Sequence, residues 1–279
     1  MRQVLLIAVT MTAFAANSIL NRLAVDSGAI EPGLFAVVRV AAGAAMLVLL
    51  VLIQKKHLSF SCLKRWGGAG SLALYMIGFS LAYRALDAGA GALILFGATQ
   101  ITMFTIACFL PSPPSGRQLT GAGIAFLGLC WVLWPGEMSA VPLSGAVLML
   151  AAGVGWGIYS VIGRTESEAL PATAANFCLA LPFTAAVPLV LGEPLTASGT
   201  GLLLAVISGA ITSGLGYALW YRILPTLTGG TAATVMLSVP IIALAAGAVL
   251  LGETPNSTLI LGSMVVIGGI AFAVRPAKT

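Results

Sequence analysis

The chain has 279 residues, of which 59% are hydrophobic and only 8% are charged, and its formal net charge is +5. A soluble domain carries about 25% charged residues, so this composition excludes a water-soluble globule. The four cysteines fall singly, without the spacing of a metal or redox site, and we therefore expect no cofactor and no metal. The basic residues lie in short loops beside apolar segments, which indicates membrane lipid as a partner and no nucleic acid.

Ten apolar segments are long enough to cross a bilayer, because a helix rises 1.5 Å per residue and about 20 residues span a core of about 30 Å. In chain order they are predicted at 3–25, 32–54, 66–86, 89–110, 117–135, 142–163, 171–192, 199–222, 227–250 and 257–274. The first is longer than the apolar core of a signal peptide, so we predict a transmembrane helix there and no cleaved leader. The fold class expected is all-α integral membrane.

The orientation follows from the basic residues of the short loops. A cytoplasmic N-terminus puts ten of the thirteen basic residues inside and six of the eight acidic residues outside. We therefore predict a multi-pass protein of the bacterial inner (plasma) membrane with its N- and C-termini in the cytoplasm.

One pattern occurs twice along the chain. Ala82–Leu86 (AYRAL) and Trp220–Leu224 (WYRIL) end the third and eighth predicted spans, and Asn17–Arg22 (NSILNR) matches Tyr159–Arg164 (YSVIGR). Each half is thus a unit of five spans. Five is an odd number, so the second unit must enter the membrane from the opposite side. Such inverted-topology repeats are typical of transporters, which hold their substrate between the halves near the middle of the membrane.

These features resemble a known family. The ten spans in two sets of five, Arg39 within the second span, YRAL closing the third and LSVPIIALAAGAVLLGE (237–253) in the ninth resemble the EamA branch of the drug/metabolite transporter (DMT) superfamily. The resemblance covers essentially the whole chain and is closest to the bacterial aromatic amino acid exporters. It implies a basket-like carrier with repeats at 1–137 and 138–279, a central cavity within spans 1–4 and 6–9, and peripheral spans 5 and 10. Gln100 stands where the second half has Pro240, so we do not expect the halves to gate identically.

Uncharged polar and aromatic side chains are predicted near the middle of the spans that the family uses for its cavity. The candidate substrate-binding residues are Asn17, Tyr75, Phe79, Thr99, Gln100, Trp156, Tyr159, Ser213, Tyr217 and Ser238. Hydrogen bonding or packing between helices is the alternative role of each one. Together they suit an amphipathic zwitterion, because amide and hydroxyl groups can bind its polar ends and aromatic rings its side chain.

Two further residues have candidate roles. Arg39 lies about seven residues into its span, where a charge is expensive. It is expected either to be structural, reaching the headgroups, backbone carbonyls or a loop carboxylate such as Asp26 or Glu31, or to contact a substrate carboxylate. Pro240 frees a backbone carbonyl inside the ninth span and is a candidate hinge or gate.

The predicted function is export of small neutral or hydrophobic, chiefly aromatic, amino acids and related metabolites by alternating access. No Asp, Glu or His lies within a predicted span, which favours facilitated or weakly coupled export. The alternative is export of other small solutes, such as drug-like amines of the multidrug or methyl viologen type. No catalytic nucleophile–base pair or acid pair is found within the predicted spans, so no enzyme is expected. We also expect a monomer.

Overall fold

The computed structural model describes residues 2–58, 60, 63–111, 114–134, 141–227, 232 and 235–274. We number ten long helices within these residues. They are α1 (Arg2–Asp26), α2 (Pro32–Ile53), α3 (Leu63–Ala82), α4 (Ala88–Ala107), α5 (Gly116–Leu133), α6 (Leu143–Gly163), α7 (Ala169–Leu191), α8 (Gly199–Thr226), α9 (Ser238–Leu250) and α10 (Ser257–Val274). The all-helical membrane fold expected from the sequence is confirmed.

Eight of these helices are long and apolar enough to cross a membrane, and α9 is a shorter apolar helix. α3 is 20 residues long and carries Lys64 and Arg65 in its first turn. The ends agree with the predicted spans to within a few residues. In the ninth span, Ala232, Val235 and Met236 are also helical, and a turn at Leu237 separates them from α9, which begins at Ser238. The predicted repeat boundary, at 137/138, lies outside the described residues and stays a prediction.

One end of the bundle is identified by contacts around Arg22. This side chain, near the end of α1, lies 3.4 Å from Asp87, which precedes α4, and 3.8 Å from Glu253, which follows α9. Arg84, after α3, pairs with Glu31, which precedes α2. We call this the Arg22 end of the protein.

The opposite end is identified by contacts around Arg65. Its guanidinium, at the start of α3, lies 3.0 Å from the carboxylate of Glu166, which follows α6. Near the start of α1, Gln3 donates a hydrogen bond of 2.9 Å to Thr226, the last residue of α8. α1 and α3 therefore begin at this Arg65 end, whereas α6 and α8, which occupy the same places in the second half, end there. The second half is inverted with respect to the first.

Helix packing obeys the same two-fold relation. α2 packs on α7, α4 on α9 and α5 on α10, so that equivalent helices pair with each other. The packing of α3 on α6 recurs as α8 on α1, α4 on α6 recurs as α9 on α1, and α2 on α8 recurs as α7 on α3. Exchanging the two halves therefore maps each of these contacts onto itself or onto another of them, as an inverted repeat requires.

Glycines position α6 between two neighbouring helices. A Cβ atom on Gly155 would lie 2.7 Å from the backbone oxygen of Ser71 in α3, and one on Gly157 would lie 3.1 Å from that of Thr99 in α4. Without side chains at these positions, the three backbones approach closely, as is common where membrane helices pack. Trp156, between the two glycines, is held in the middle of the bundle.

Candidate functional site

A cavity of about 1580 Å³ enters the protein from the Arg65 end. Its mouth includes Lys56, Arg164 and Glu168, and its walls come from α4, α6 and α8. Small-molecule sites usually have volumes of about 300–1,000 Å³. The cavity can therefore hold a metabolite at its inner end together with an open vestibule.

The inner end of the cavity is aromatic. The ring of Trp156 lies 5.1 Å from that of Phe96 and stacks on Tyr75 at 5.0 Å, as measured between ring centroids. Tyr217 lines the same region, and its hydroxyl is buried without a hydrogen-bond partner among the described residues. A buried unpaired hydroxyl is costly, so this group is available to a ligand. We call this layer the cavity floor.

Five of the ten candidate binding residues line the cavity. They are Thr99, Gln100, Trp156, Tyr159 and Tyr217. Thr99 donates to the backbone oxygen of Gly153 at 3.1 Å, and the hydroxyl of Tyr159 contacts that of Thr173 at 3.4 Å. These hydroxyls therefore also join helices, which is the alternative role considered for them.

Four other candidates meet Arg39 in a separate cluster on the Arg22 side of the floor, which we call the Arg39 cluster. The guanidinium donates to Ser213 at 3.2 Å and to the Tyr75 hydroxyl at 3.0 Å. It lies over the ring of Phe79, 4.6 Å from the centroid. Asn17 completes the cluster, because its amide oxygen accepts a hydrogen bond of 3.3 Å from Ser213.

The backbone of α8 departs from regular α-helical hydrogen bonding where it faces this cluster. Ile207–Leu215 of α8 forms a π-helix, a rare form that is frequently found at functional sites. The hydroxyls of Ser208 and Thr212 in this segment donate to the amide oxygen of Asn17 at 2.9 and 2.6 Å. A Cβ atom on Gly209 would overlap the backbone oxygen of Arg39. α1, α2 and α8 are thus joined tightly around the cluster.

The groups that contact Arg39 are not the headgroups or loop carboxylates expected from the sequence. Its side chain is 0% exposed and does not reach the headgroups. Asp26 and Glu31, the loop carboxylates considered as partners, pair with Arg22 and Arg84 instead. The cation is held by hydroxyl groups and aromatic rings inside the bundle.

The two remaining candidates lie at the start of α9. Ser238 is half-buried and donates to the backbone oxygen of Val235 at 2.7 Å, and Pro240 is buried. Neither lines the cavity, although Met236, just before them, does. The hinge role of Pro240 stays a prediction.

At the Arg22 end, a carboxylate joins the end of α9 to the start of α4. Glu253 accepts a hydrogen bond of 2.7 Å from the backbone N–H of Ala88, at the start of α4, and its side chain is 10% exposed. Burial raises the pKa of the Glu253 carboxyl above its ordinary value. The N–H of Ala88 opposes this rise, Asp87 adds to it, and Arg22 opposes it.

A second carboxylate makes the same kind of contact on another pair of equivalent helices, α7 and α2. Glu193, after α7, accepts a hydrogen bond of 2.9 Å from the backbone N–H of Gly33 at the start of α2. Both glutamates follow a glycine in the left-handed conformation, Gly192 at φ +63° and Gly252 at φ +69°. Such a glycine ends a helix and turns the chain, and here it directs the carboxylate to the N-terminus of the partner helix, where the helix dipole favours an anion.

Comparisons with known proteins agree with this architecture. The model of the EamA-like transporter family matches residues 143–275. An uncharacterised protein of Pseudomonas aeruginosa is 42% identical over 99% of this chain and 95% of its own length. The chain belongs to the EamA-like transporter family. A solved crystal structure has a similar fold, with a TM-score of 0.65 and 22% identity over 95% of this chain and 98% of that one.

Two more relatives of this EamA protein have names that state a function. A probable amino-acid metabolite efflux pump of Salmonella typhimurium is 26% identical over 70% of this chain and 71% of its own length. The threonine/homoserine exporter RhtA of Escherichia coli is 38% identical over 51% of this chain and 50% of its own length. These names describe those two proteins.

The glutamates at the Arg22 end were absent from the candidate residues of this EamA chain. The sequence does carry a signal for them, because Leu-Gly-Glu occurs at 191–193 and again at 251–253. Each copy follows a long apolar segment, and the two copies lie at the same end because two membrane crossings separate them. The tripeptide alone could not show which helix the carboxylate contacts.

Proposed function

We propose that this protein exports neutral amino acids, aromatic ones included, from the bacterial cytoplasm by alternating access. The observation that carries the proposal is the cavity, which is open at the Arg65 end, closed at the Arg22 end and lined at its floor by uncharged groups. Aromatic rings can pack against an apolar side chain, while Thr99, Gln100 and the free hydroxyl of Tyr217 offer donors and acceptors to polar groups. The names of the two relatives with a stated function support amino acids as the substrate class.

The two related serines Ser18 and Ser160 support alternating access. Ser160 lines the cavity, whereas Ser18, its equivalent in the first half, is 2% exposed. In an inverted repeat, each half can adopt the conformation of the other. Exchange of these conformations would bury Ser160 and expose Ser18, which closes the Arg65 end and opens the Arg22 end.

The charges at the two ends support an orientation. Lys56, Lys64 and Arg65 lie at the Arg65 end, and we propose that this end faces the cytoplasm. The state described here is then open to the cytoplasm and ready to receive a substrate for export. The cavity forms within one chain, so we propose that a monomer suffices.

Cationic drugs fit this site less well than zwitterions. Among the described residues that line the cavity, the acidic ones are Glu166 and Glu168 near the mouth. The charged group nearest the floor is the Arg39 cation, which contacts Tyr75 behind Trp156. A positively charged amine would lack a counter-ion at the floor and would meet a like charge behind it.

Counterflow into liposomes tests the proposal. Vesicles containing purified protein and unlabelled phenylalanine are diluted into labelled phenylalanine, and a parallel set uses threonine. We expect transient, saturable accumulation of label. Trp156→Ala should reduce it strongly, whereas Trp134→Ala, at an exposed tryptophan, should not.

The outcomes separate the proposal from its alternatives. Uptake that rises linearly with concentration and shows no counterflow would indicate a channel. Counterflow of quaternary amines but of neither amino acid would overturn the proposed substrate class. A pH gradient imposed without a membrane potential should drive no accumulation, and net accumulation under that gradient would refute facilitated export.

A further inference from the structure

Arg39 is a buried cation that pairs with no carboxylate among the described residues. Its side chain is 0% exposed, and no carboxylate of the described residues lies within 4.0 Å of it. A charge taken out of water is normally paired, because its desolvation costs several kcal/mol. The transmembrane part of this protein thus contains a positive site for which the chain supplies no described anion.

One side of the guanidinium has a free donor. Nε donates to Ser213 and one terminal nitrogen, Nη2, donates to Tyr75. The other terminal nitrogen, Nη1, is buried and has no hydrogen-bond partner among the described residues. Guanidinium groups bind carboxylates through two parallel N–H bonds. A carboxylate could accept one hydrogen bond from Nη1. It could accept the second from Nη2 once the Tyr75 hydroxyl is displaced from that nitrogen.

The site adjoins the proposed substrate path. Tyr75, which accepts from Arg39, stacks on Trp156 at the cavity floor, so one aromatic layer separates the cation from the cavity. The π-helical part of α8 supplies Ser213 and is an independent mark of a specialised position. Motion of the Tyr75–Trp156 layer would connect Arg39 with the cavity.

We propose that Arg39 binds the carboxylate of the transported solute after this layer parts. The inference rests on the proposed function, since it assigns one end of an amino acid to one residue. The apolar side chain then packs against the aromatic rings of the floor. The ammonium group is directed toward the uncharged oxygen acceptors of Thr99 and Gln100, away from the cation.

The test compares ligands that differ only in the carboxylate. Binding of phenylalanine and of phenylalaninamide to purified protein is measured by tryptophan fluorescence, at a pH where both amines are protonated. In the native protein we expect phenylalanine to bind at least about tenfold more tightly, which is typical of a charge-assisted bidentate contact. An equal affinity for the two ligands would overturn the proposal without any variant.

Variants of Arg39 separate binding from structure. Arg39→Gln should bring the affinity ratio close to one and leave the affinity for phenylalaninamide unchanged. Arg39→Lys, which keeps a point charge without the fork, should retain part of the preference. If Arg39 is structural only, Arg39→Gln weakens both ligands equally and the proposal is wrong. Should Arg39→Gln fail to fold, Arg39→Lys decides, because it keeps the charge without the fork: a reduced ratio supports the site, and an unchanged ratio would count against it.

A third ligand, 3-phenylpropanoate, distinguishes failure of this inference from failure of the proposed function. Counterflow of phenylalanine without any carboxylate preference would leave amino acid export standing and remove the Arg39 site. Absence of amino acid counterflow, together with Arg39-dependent binding of 3-phenylpropanoate, would keep the carboxylate site and overturn amino acid export. If neither phenylalanine nor 3-phenylpropanoate binds, both proposals are wrong.

Discussion

Replacing Glu253 with alanine should open the Arg22 end. The carboxylate accepts a 2.7 Å hydrogen bond from the backbone N–H of Ala88, and Ala88 itself is 0% exposed. Loss of the acceptor leaves a buried N–H unsatisfied, which costs about 1–3 kcal/mol. If that cost applies only to the closed state, the population open at the Arg22 end rises roughly 5- to 150-fold.

The assay measures how fast a buried cysteine reacts. Ser18→Cys is introduced into a chain whose native cysteines are replaced by serine. These are Cys62, Cys108, Cys130 and Cys178. Ser18 is 2% exposed and lies outside the cavity that opens to the Arg65 end. A water-soluble maleimide should therefore react with Cys at this position only when the Arg22 end opens.

Two further variants make the result interpretable. Glu253→Gln keeps an oxygen that can accept from Ala88, so it should raise the labelling rate less than Glu253→Ala does. Glu168→Gln removes an acid at the opposite end, where it pairs with Lys56 at 3.2 Å, and should not raise the rate. An unchanged rate in Glu253→Ala, or an equal increase in all three variants, would refute the reasoning.

Three other predictions concern pH, packing and the cavity floor. Burial raises the pKa of Glu253 in the closed state, so closure binds a proton. Because a maleimide reacts with the thiolate, whose fraction falls with pH in any protein, the labelling rate at position 18 is divided by the rate for the unfolded protein at the same pH. This ratio should be lower at about pH 5 than at about pH 8, and Glu253→Gln should flatten the dependence, whereas the opposite slope would contradict it. Gly155→Ala places a Cβ atom 2.7 Å from a backbone oxygen and should destabilise the protein by about 1–3 kcal/mol; its melting temperature in detergent should fall, while that of Gly123→Ala, with no atom within 4 Å of the added carbon, should not. Tyr217→Phe removes a buried unpaired hydroxyl and should not lower the melting temperature, but it should slow phenylalanine counterflow by up to about tenfold, and unchanged transport would remove the hydroxyl from the site.

Much of the fold could be predicted because the membrane imposes a simple length rule and the repeat is visible in the sequence. The matches that end at Arg22 and Arg164, and the two Tyr-Arg pairs, predicted an inverted relation that the helix contacts reproduce. The ninth span was predicted as one continuous segment, whereas a turn at Leu237 interrupts the helix before Ser238, and the sequence around Leu237 gives no signal for this break.

The site was harder to predict, because depth along a helix does not determine the direction of a side chain. Trp156 and Tyr75 were both placed near the middle, yet one lines the cavity and the other lies behind it against Arg39. That difference depends on how each helix is rotated by its neighbours. The glycines that bring α6 against α3 are visible in the sequence, but which helices they face is not.

Paired labelling of Ser18 and Ser160 tests the central claim most directly. Single-cysteine variants at these two related positions are reacted with a maleimide in the presence and absence of saturating phenylalanine. Alternating access predicts opposite changes, because opening of the Arg22 end exposes position 18 while closure of the Arg65 end covers position 160. Rates that rise together, or that do not respond to any neutral amino acid, would contradict a carrier built from two exchanging halves.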